Sequence, residues 1–282
     1  MIAGIFDMDP AFWIKLAFVS LLGLILGSFA TALIHRIPAG IPWSFKSFKK
    51  NDEDGQPPMP VPRSSCPHCH AVLQVRDLVP LFSWIANGGR CRFCKAPIGW
   101  MYPAVEVLTA CGCVAIFFGW GLHALSVIAM LTVPFLVALA VIDFKHLILP
   151  NEINIILVCL WPLLVVVALF QGYGGDAVFR YATSGLVGAM VFPLLAFLAG
   201  TLIKAVLKKE AIGFGDVKFF AVAGLWLGIT LLVPFLLLAG VFGVIMGIIY
   251  RVAIKEAYFP FGPALICAFY ILILFARPGF MY

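Results

Sequence analysis

The chain has 282 residues, of which 63% are apolar and only 11% are charged. A water-soluble domain carries roughly 25% charged residues to keep its surface wet, so the composition excludes a soluble globular protein. The net charge of +6 would suit a nucleic-acid partner in a soluble protein. In a membrane protein it first reports which loops face the cytosol, and no nucleic-acid partner is expected.

The first apolar run, from Leu16 to Ile34, contains no charged residue. It follows Asp7, Asp9 and a single basic residue, Lys15. A removable signal peptide has a basic start, a shorter apolar region and a cleavage site. The pattern therefore predicts a retained transmembrane helix whose N-terminus lies outside.

Further apolar runs of helical length follow along the chain. Backbone groups in lipid must form hydrogen bonds within their own segment, so these runs are expected to be helices. The sixth run is too short to cross alone and predicts a re-entrant piece or a helix broken near Gly228, Ile229 and Thr230. Gly23 and Gly27 form a small-xxx-small pair that permits close helix contact. We expect an all-α polytopic membrane protein with about eight transmembrane helices, at 12–34, 103–120, 123–142, 152–170, 181–203, 217–229, 231–250 and 261–276.

The basic residues support one topology. All lysines and arginines except Lys15, Arg180 and Arg277 fall in loops on one side of the expected spans. By the positive-inside rule this side is the cytosol, so both termini are expected outside. No internal repeat is apparent.

Three parts are expected along the chain: a first transmembrane helix at 1–34, a cytosolic loop at 35–102, and a membrane-embedded domain at 103–282. The cytosolic loop contains two CxxC pairs, Cys66 with Cys69 and Cys91 with Cys94. Two such turns complete a tetrahedron of thiolates suited to zinc. The reducing cytosol argues against disulfides.

A zinc module at about 64–98 has almost no apolar core, so the metal is expected to be structural and to supply its folding free energy. The alternative is two unrelated CxxC pairs. His68 and His70 are expected outside the ligand set. The remaining cysteines lie in apolar runs and are expected to be buried packing residues; they are Cys111, Cys113, Cys159 and Cys267.

Two aspartates lie at the ends of apolar runs, where an ionisable residue is costly and suggests a function. Asp143 ends the third run and Asp216 opens the sixth, both at the expected cytosolic face. Two neighbouring carboxylates share one proton, so that one activates water while the other polarises a peptide carbonyl. The pattern predicts a catalytic pair, Asp143 and Asp216. Gly213 and Gly215 would support it by letting the backbone bend and the substrate approach.

Each aspartate also has a simpler interpretation. Asp216 could cap the start of a helix, and Asp143 could pair with Lys145 at the membrane interface. Depth alone does not select the pair, because other acids lie near expected cytosolic span ends, namely Glu106, Glu152 and Glu210.

An ordered set of seven motifs resembles the prepilin peptidase family over most of the chain. The GxGD motif is short by itself, whereas the ordered set is specific. The motifs are Gly27-Ser28-Phe29 with Ile34-His35-Arg36-Ile37-Pro38; Pro62-Arg63-Ser64; Pro80-Leu81-Phe82-Ser83-Trp84 with Gly89-Arg90-Cys91; Pro97-Ile98 with Tyr102-Pro103-Ala104-Val105-Glu106; Ile142-Asp143 with Leu149-Pro150-Asn151; Gly213-Phe214-Gly215-Asp216-Val217-Lys218; and Pro260-Phe261-Gly262-Pro263.

The resemblance implies a GxGD membrane aspartic peptidase of the bacterial inner membrane. Its substrates would be type IV prepilin or pseudopilin precursors, cut after a glycine at the cytosolic membrane surface, beside membrane lipid. Many members also methylate the new N-terminal amine with S-adenosylmethionine. One departure bears on methylation: the family often has Leu-Asn after Gly27-Ser28-Phe29, where this chain has Ala30-Thr31.

Two alternatives of other classes are a transporter or channel with a zinc module, and a non-enzymatic scaffold for a secretion machine. Transport sites usually lie near the bilayer midplane. The centres of the expected spans contain no Asp, Glu, Lys or Arg, which disfavours an ion path. A scaffold would keep the zinc module but tolerate loss of either aspartate.

Overall fold

The computed structural model describes residues 9–41, 64–66, 68–69, 71–208, 213–254, 259–276 and 278. Several residues named above lie outside these ranges, namely Asp7, Pro62, Arg63, His70, Glu210 and Arg277. The fold is 78% helical, and the residues within these ranges form no strands. The only β-type pairings among the described residues are two isolated bridges. The predicted all-α class is confirmed.

Nine α-helices form the described part of the chain. All except the short α2 coincide with the expected apolar runs, so the apolar runs located every long helix. They are α1 (Pro10–Arg36), α2 (Phe82–Ala86), α3 (Met101–Trp120), α4 (Ala124–His146), α5 (Asn151–Phe170), α6 (Gly175–Leu207), α7 (Phe214–Leu227), α8 (Leu232–Ile249) and α9 (Gly262–Phe275).

Six of the described helices are long and apolar enough to cross a membrane by length and composition. Helices α7 and α9 have 14 residues each, or about 21 Å at 1.5 Å per residue. This length falls short of a hydrocarbon core of about 30 Å. The expected count of about eight spans is therefore not confirmed.

The helix break expected in the sixth run is present. Helix α7 ends at Gly228, whose φ of +71° is a conformation that favours glycine. A single 3₁₀ turn, Ile229–Leu231, then leads into α8. The backbone therefore changes direction at the residues that the sequence indicated.

The chain divides into two compact units, residues 1–117 and 118–282. In the first unit, α1 and α3 approach closely at the two predicted glycines. A Cβ added at Gly23 would lie 2.6 Å from Ala110 Cα, and one added at Gly27 would lie 2.5 Å from Glu106 Cα. No larger residue fits at either position, and the predicted small-xxx-small contact is confirmed.

In the second unit, α4 is the enclosed helix. Within the most apolar 18-residue stretch of α4, 72% of the residues are buried. The corresponding share is 17% in α6 and 17% in the apolar span that contains α8. Helices α5 and α9 each pack against both α4 and α7. The outward faces of α6 and α8 carry exposed apolar side chains, among them Met190 and Leu237, as lipid-facing helices require.

Helices α6 and α7 meet through backbone contacts that the sequence analysis did not foresee. A Cβ added at Gly188 would overlap the carbonyl oxygen of Gly224, and one added at Gly224 would overlap that of Gly188. At the end of α7, the backbone N–H of Ile229 donates to Ser184 Oγ (3.1 Å). The helix that carries Asp216 therefore rests directly on the backbone of α6.

Candidate active site and metal centre

Asp143 lies in the last turns of α4 and is only 5% exposed. Its Oδ2 atom accepts a hydrogen bond of 2.9 Å from the backbone N–H of Gly262, the first residue of α9. A Cβ at Gly262 would lie 2.6 Å from that same oxygen. The carboxylate is thus held by an N–H that can approach only because Gly262 has no side chain.

Asp216 lies in the first turn of α7 and is partly buried. Its Oδ2 atom accepts a hydrogen bond of 3.2 Å from the backbone N–H of Gly213, the residue that precedes the helix. Asp216 therefore does cap the start of α7, as the simpler interpretation expected. This role does not exclude a second one in catalysis. A helix N-terminus also stabilises negative charge there.

The two carboxylates lie close enough to interact electrostatically, although they stand on different helices. No ion pair joins Asp143 to Lys145, both of which the structure describes, so the simpler interpretation of Asp143 finds no support. Each carboxylate uses one oxygen, Oδ2, to accept a glycine N–H. Oδ1 of each accepts no hydrogen bond from another residue that the structure describes. These atoms are therefore available to hold a water or a shared proton.

Gly215 lies where the segments that carry the aspartates approach each other, and Gly213 lies against the side chain of Asp216 itself. A Cβ at Gly215 would be 3.2 Å from Leu149 Cβ, and one at Gly213 would be 3.1 Å from Asp216 Oδ2. Close backbone approach is therefore their visible role. Sequence reasoning missed the role of Gly262, although its motif was noted, because nothing in the sequence shows which helix start meets Asp143.

A second pair of residues joins the same two segments. Lys218 Nζ donates a hydrogen bond of 2.7 Å to Oδ1 of Asn151, the first residue of α5. Asn151 follows α4 after a short connection, and Lys218 lies two residues beyond Asp216. Both residues stood in quoted motifs, but their pairing could not be read from the sequence.

In the first unit, the two CxxC pairs lie in two matching turns. In the first turn, Cys66 N–H donates to Ala71 O and Ser65 forms a bridge with Val72; in the second, Cys91 N–H donates to Ala96 O and Arg90 forms a bridge with Pro97. The two turns therefore share the same hydrogen bond and the same β-bridge at equivalent positions. The chain therefore has a local repeat here, although none was apparent from its sequence.

The four sulfur atoms of Cys66, Cys69, Cys91 and Cys94 all lie within 4.8 Å of one another. The Cys66 and Cys94 sulfurs are 3.8 Å apart, which matches the spacing of about 3.8 Å across a tetrahedral zinc site with bonds of about 2.3 Å. All four cysteines are free thiols. The cluster can therefore hold a zinc ion, and two unrelated CxxC pairs are excluded.

The electrostatics of the cluster also suit a metal. Backbone N–H groups of Cys69 and then His68 donate to the Cys66 sulfur and lower the pKa of that thiol to about 6. At Cys94 the Ala96 N–H acts in the same direction, but desolvation and the neighbouring thiols together raise its pKa to about 11. A dication would relieve this repulsion among thiolates. His68 contributes its backbone N–H, as expected of a residue outside the ligand set.

The prediction for the other cysteines is only partly correct. Cys113 is fully buried, but Cys111, Cys159 and Cys267 are exposed. An apolar run shows that a residue lies in a membrane helix, but not which face of that helix meets protein. These three thiols point outward from the packed helices.

The first unit contains a buried acid, Glu106, whose role the sequence analysis did not predict. Glu106 on α3 is 8% exposed, and its Oε2 atom accepts a hydrogen bond of 2.7 Å from the backbone N–H of Leu81. The Ser28 side chain of α1 lies close enough to this carboxyl group to interact with it. Glu106 therefore joins α1, α3 and the segment between the two CxxC turns.

Comparison with known proteins identifies the family of the chain. The model of the bacterial peptidase A24 N-terminal domain matches residues 21–120, and the model of the type IV leader peptidase family matches residues 130–248. No solved structure gives a significant match. The fold and the matches define a multi-pass membrane peptidase.

Relatives extend the match over nearly the whole chain. The prepilin leader peptidase/N-methyltransferase of Aeromonas hydrophila is 36% identical over 93% of this chain and 91% of its own length. The type 4 prepilin-like proteins leader peptide-processing enzyme of Escherichia coli O78:H11 is 35% identical over 98% and 100%, respectively. A prepilin leader peptidase/N-methyltransferase of Pseudomonas aeruginosa is 35% identical over 90% and 88%. The chain belongs to the type IV leader peptidase family.

Proposed function

We propose that this protein removes the leader peptide from type IV prepilin or pseudopilin precursors, with Asp143 and Asp216 as its catalytic residues. The observation that carries the proposal is a pair of carboxylates close enough to interact electrostatically, each held at Oδ2 by a glycine N–H. The names of the relatives supply the substrate class. The comparisons do not favour the transporter or the scaffold.

The mechanism follows from two carboxyl groups that share one proton. The ionised carboxylate takes a proton from a water molecule between the two Oδ1 atoms, and the water oxygen attacks the peptide carbonyl carbon. The protonated carboxyl group donates a hydrogen bond to the carbonyl oxygen and stabilises its developing charge. The tetrahedral intermediate then breaks at the C–N bond, and the leaving amine takes up a proton from the pair. No covalent enzyme intermediate forms.

The location of the site follows from the positive-inside rule. We place Asp143 and Asp216 at the cytosolic face of the bacterial inner membrane, next to lipid headgroups, where a precursor would enter with its leader in the cytosol. The parts of the chain are then a first transmembrane helix (1–34), a cytosolic loop with the metal module (35–102), and the membrane-embedded peptidase domain (103–282). Gly213 and Gly215 would also let an extended substrate approach the pair.

The metal of the four-cysteine cluster is proposed to be a structural zinc ion. Four thiolates from Cys66, Cys69, Cys91 and Cys94 fill a tetrahedral coordination sphere and leave no position for water or substrate. Zinc bound there would hold the two turns together. It would not take part in peptide cleavage.

Methylation of the new N-terminal amine with S-adenosylmethionine is proposed from the names of the relatives. None of the described side chains is assigned to this methyl donor, so no step is derived for it. A test can separate it from cleavage: pilin that has already been cleaved is offered to an Asp143→Asn enzyme with a labelled methyl donor. Transfer of label supports a second activity, and no transfer with this variant or the wild type leaves a peptidase alone.

The peptidase proposal is tested with purified enzyme and a model prepilin. Asp143→Asn and Asp216→Asn are nearly isosteric, and each is expected to lower the cleavage rate by about 1,000-fold or more, because general acid–base catalysis is lost. Asp176→Asn is the matched control, since Asp176 is an exposed acid in the first turn of α6. Cleavage at the wild-type rate by either dyad variant would refute the proposal.

A further inference from the structure

The two catalytic aspartates stand on separate helices, so something must fix the distance between the segments that carry them. Asp143 is followed by the end of α4, a short connection and then Asn151 at the start of α5. Asp216 is followed by Lys218 within the first turns of α7. The Lys218–Asn151 hydrogen bond spans 67 residues of sequence and joins these segments directly.

The ammonium group of Lys218 makes two contacts, one with Asn151 and one with the ring of Phe214. Its ammonium nitrogen lies 2.7 Å from Asn151 Oδ1 and 4.8 Å from the ring centroid of Phe214, which begins α7. A lysine that served only membrane topology would need no specific acceptor. This one donates to a neutral amide oxygen across a helix boundary, and a cation over an aromatic face gains further attraction.

A second contact at the same place makes the spacing tight. Gly215 lies against Leu149, where an added Cβ would approach Leu149 Cβ to 3.2 Å. Leu149 and Asn151 flank Pro150, which precedes α5. The start of α7 is therefore both packed against the connection after α4 and hydrogen-bonded to the residue that follows it.

We propose that Lys218 and Asn151 are positioning residues, which form a strut that fixes the separation of Asp143 and Asp216 for catalysis. The inference rests on the proposed function of the aspartate pair. Neither residue need touch the substrate, since each acts through the segment that it holds. A dyad that loses its spacing still binds precursor but activates water less effectively, because small misplacements of reacting groups lower rates strongly.

The test measures kcat and KM for prepilin cleavage in single and double variants. Lys218→Met keeps the chain length without the donor, and Asn151→Leu keeps the size without the acceptor. Each is expected to lower kcat by about 10-fold to 100-fold while KM changes less than about 2-fold. The double variant should be no slower than the slower single variant, because one interaction is lost only once.

Conservative variants separate positioning from simple damage to the fold. Lys218→Arg keeps a charged donor and Asn151→Asp keeps an acceptor in place, so both should retain activity within about 3-fold of wild type. Lys208→Met, which removes an exposed lysine at the end of α6, controls for loss of charge and should leave kcat unchanged. Melting temperatures of all variants in detergent show whether any loss of kcat follows unfolding.

The outcomes distinguish this inference from the proposed function. Wild-type kcat in Lys218→Met and Asn151→Leu, with Asp143→Asn and Asp216→Asn inactive, overturns the strut and leaves the dyad. Losses that multiply in the double variant, or equal losses in Lys218→Arg and Asn151→Asp, also overturn it. A wild-type enzyme that cuts no prepilin instead contradicts the proposed function itself.

Discussion

The two units of the chain hold their functional side chains by opposite means. In the metal module, the only buried residues among the described side chains of 64–98 are two of the proposed ligands, Cys66 and Cys91. In the second unit, the aspartates stand on helices whose interior includes fully buried Phe219 and Phe269, with ring centroids 5.5 Å apart. One region has almost no apolar core, whereas the other has an extensive one.

The two regions are therefore stabilised by different sources of free energy. Helices in the second unit are placed by packing and by glycine contacts between backbones, so their geometry needs no ligand. The module buries little side-chain area, so the proposed zinc ion would supply the free energy that orders it. Damage to the second unit should therefore act through steric overlap, and damage to the module through loss of the ion.

The most damaging substitution should fall at the contact between α6 and α7. Gly188→Val would push a side chain into the backbone of Gly224, and overpacking of this kind costs about 3 kcal/mol. We expect little folded protein and no cleavage. The measurement is the yield and melting temperature of the protein purified in detergent. Gly240→Val, at a helical glycine with open space around its Cβ position, should behave like wild type, and equal damage from both would contradict the assigned contact.

A smaller and more local effect is expected at Gly262. A Cβ placed 2.6 Å from Asp143 Oδ2 would displace the carboxylate from the N–H that holds it. Gly262→Ala should lower kcat by about 100-fold, a loss typical of a misplaced reacting group, with little change in melting temperature. Gly240→Ala is the control for adding a methyl group to a helix. Full activity of Gly262→Ala would show that Asp143 does not need this bond.

The metal module should respond to a different kind of change. Cys66→Ser removes one thiolate, and we expect the bound zinc to fall from about one per chain to near zero. Limited proteolysis should then cut within 64–98, while the helices of the second unit stay protected. Cys111→Ser, at an exposed thiol outside the cluster, should keep its metal. Full metal content in Cys66→Ser, measured by elemental analysis, would contradict the ligand assignment.

Much of this could be predicted from the sequence, because the relevant signals are local. Apolar runs mark membrane helices, a CxxC pair marks a metal-binding turn, and an acid at a span end marks a costly position that suggests function. The break at Gly228 was foreseen for the same reason, since a short apolar run and a glycine are visible in one stretch of sequence. These features depend on neighbours along the chain.

The contacts that the sequence did not predict depend on which segments of the chain meet in space. The bond from Gly262 to Asp143, the Lys218–Asn151 bond and the contact of Gly188 with Gly224 all join distant parts of the chain. A single sequence carries no signal for such pairings. The outward orientation of Cys159 was missed because an almost wholly apolar helix has no polar face to show which side meets lipid.

The mildest change should follow loss of the hydrogen bond between the metal module and the buried Glu106 of α3. Leu81 has φ +56° and ψ −49°, and the residues that flank it are joined by a hydrogen bond of 2.5 Å from Phe82 N–H to Pro80 O. This is a γ-turn in a strained conformation that L residues rarely adopt. The bond from Leu81 N–H to Glu106 offsets that strain and joins the module to α3.

Glu106→Leu removes this acceptor and should weaken the attachment by about 1.5 to 3 kcal/mol, the range for a hydrogen bond to a charged group. Glu106→Gln keeps one carbonyl oxygen and should lose less. Hydrogen exchange at the Leu81 amide measures the effect directly, since faster exchange reports the lost bond. Zinc content should not change, because the four thiolates do not include this residue. Glu152→Leu, at an exposed acid on α5, is the control. Unchanged protection of the Leu81 amide in Glu106→Leu would contradict this role of Glu106. It would mean that apolar contacts, and not this hydrogen bond, order the turn and attach the module to α3.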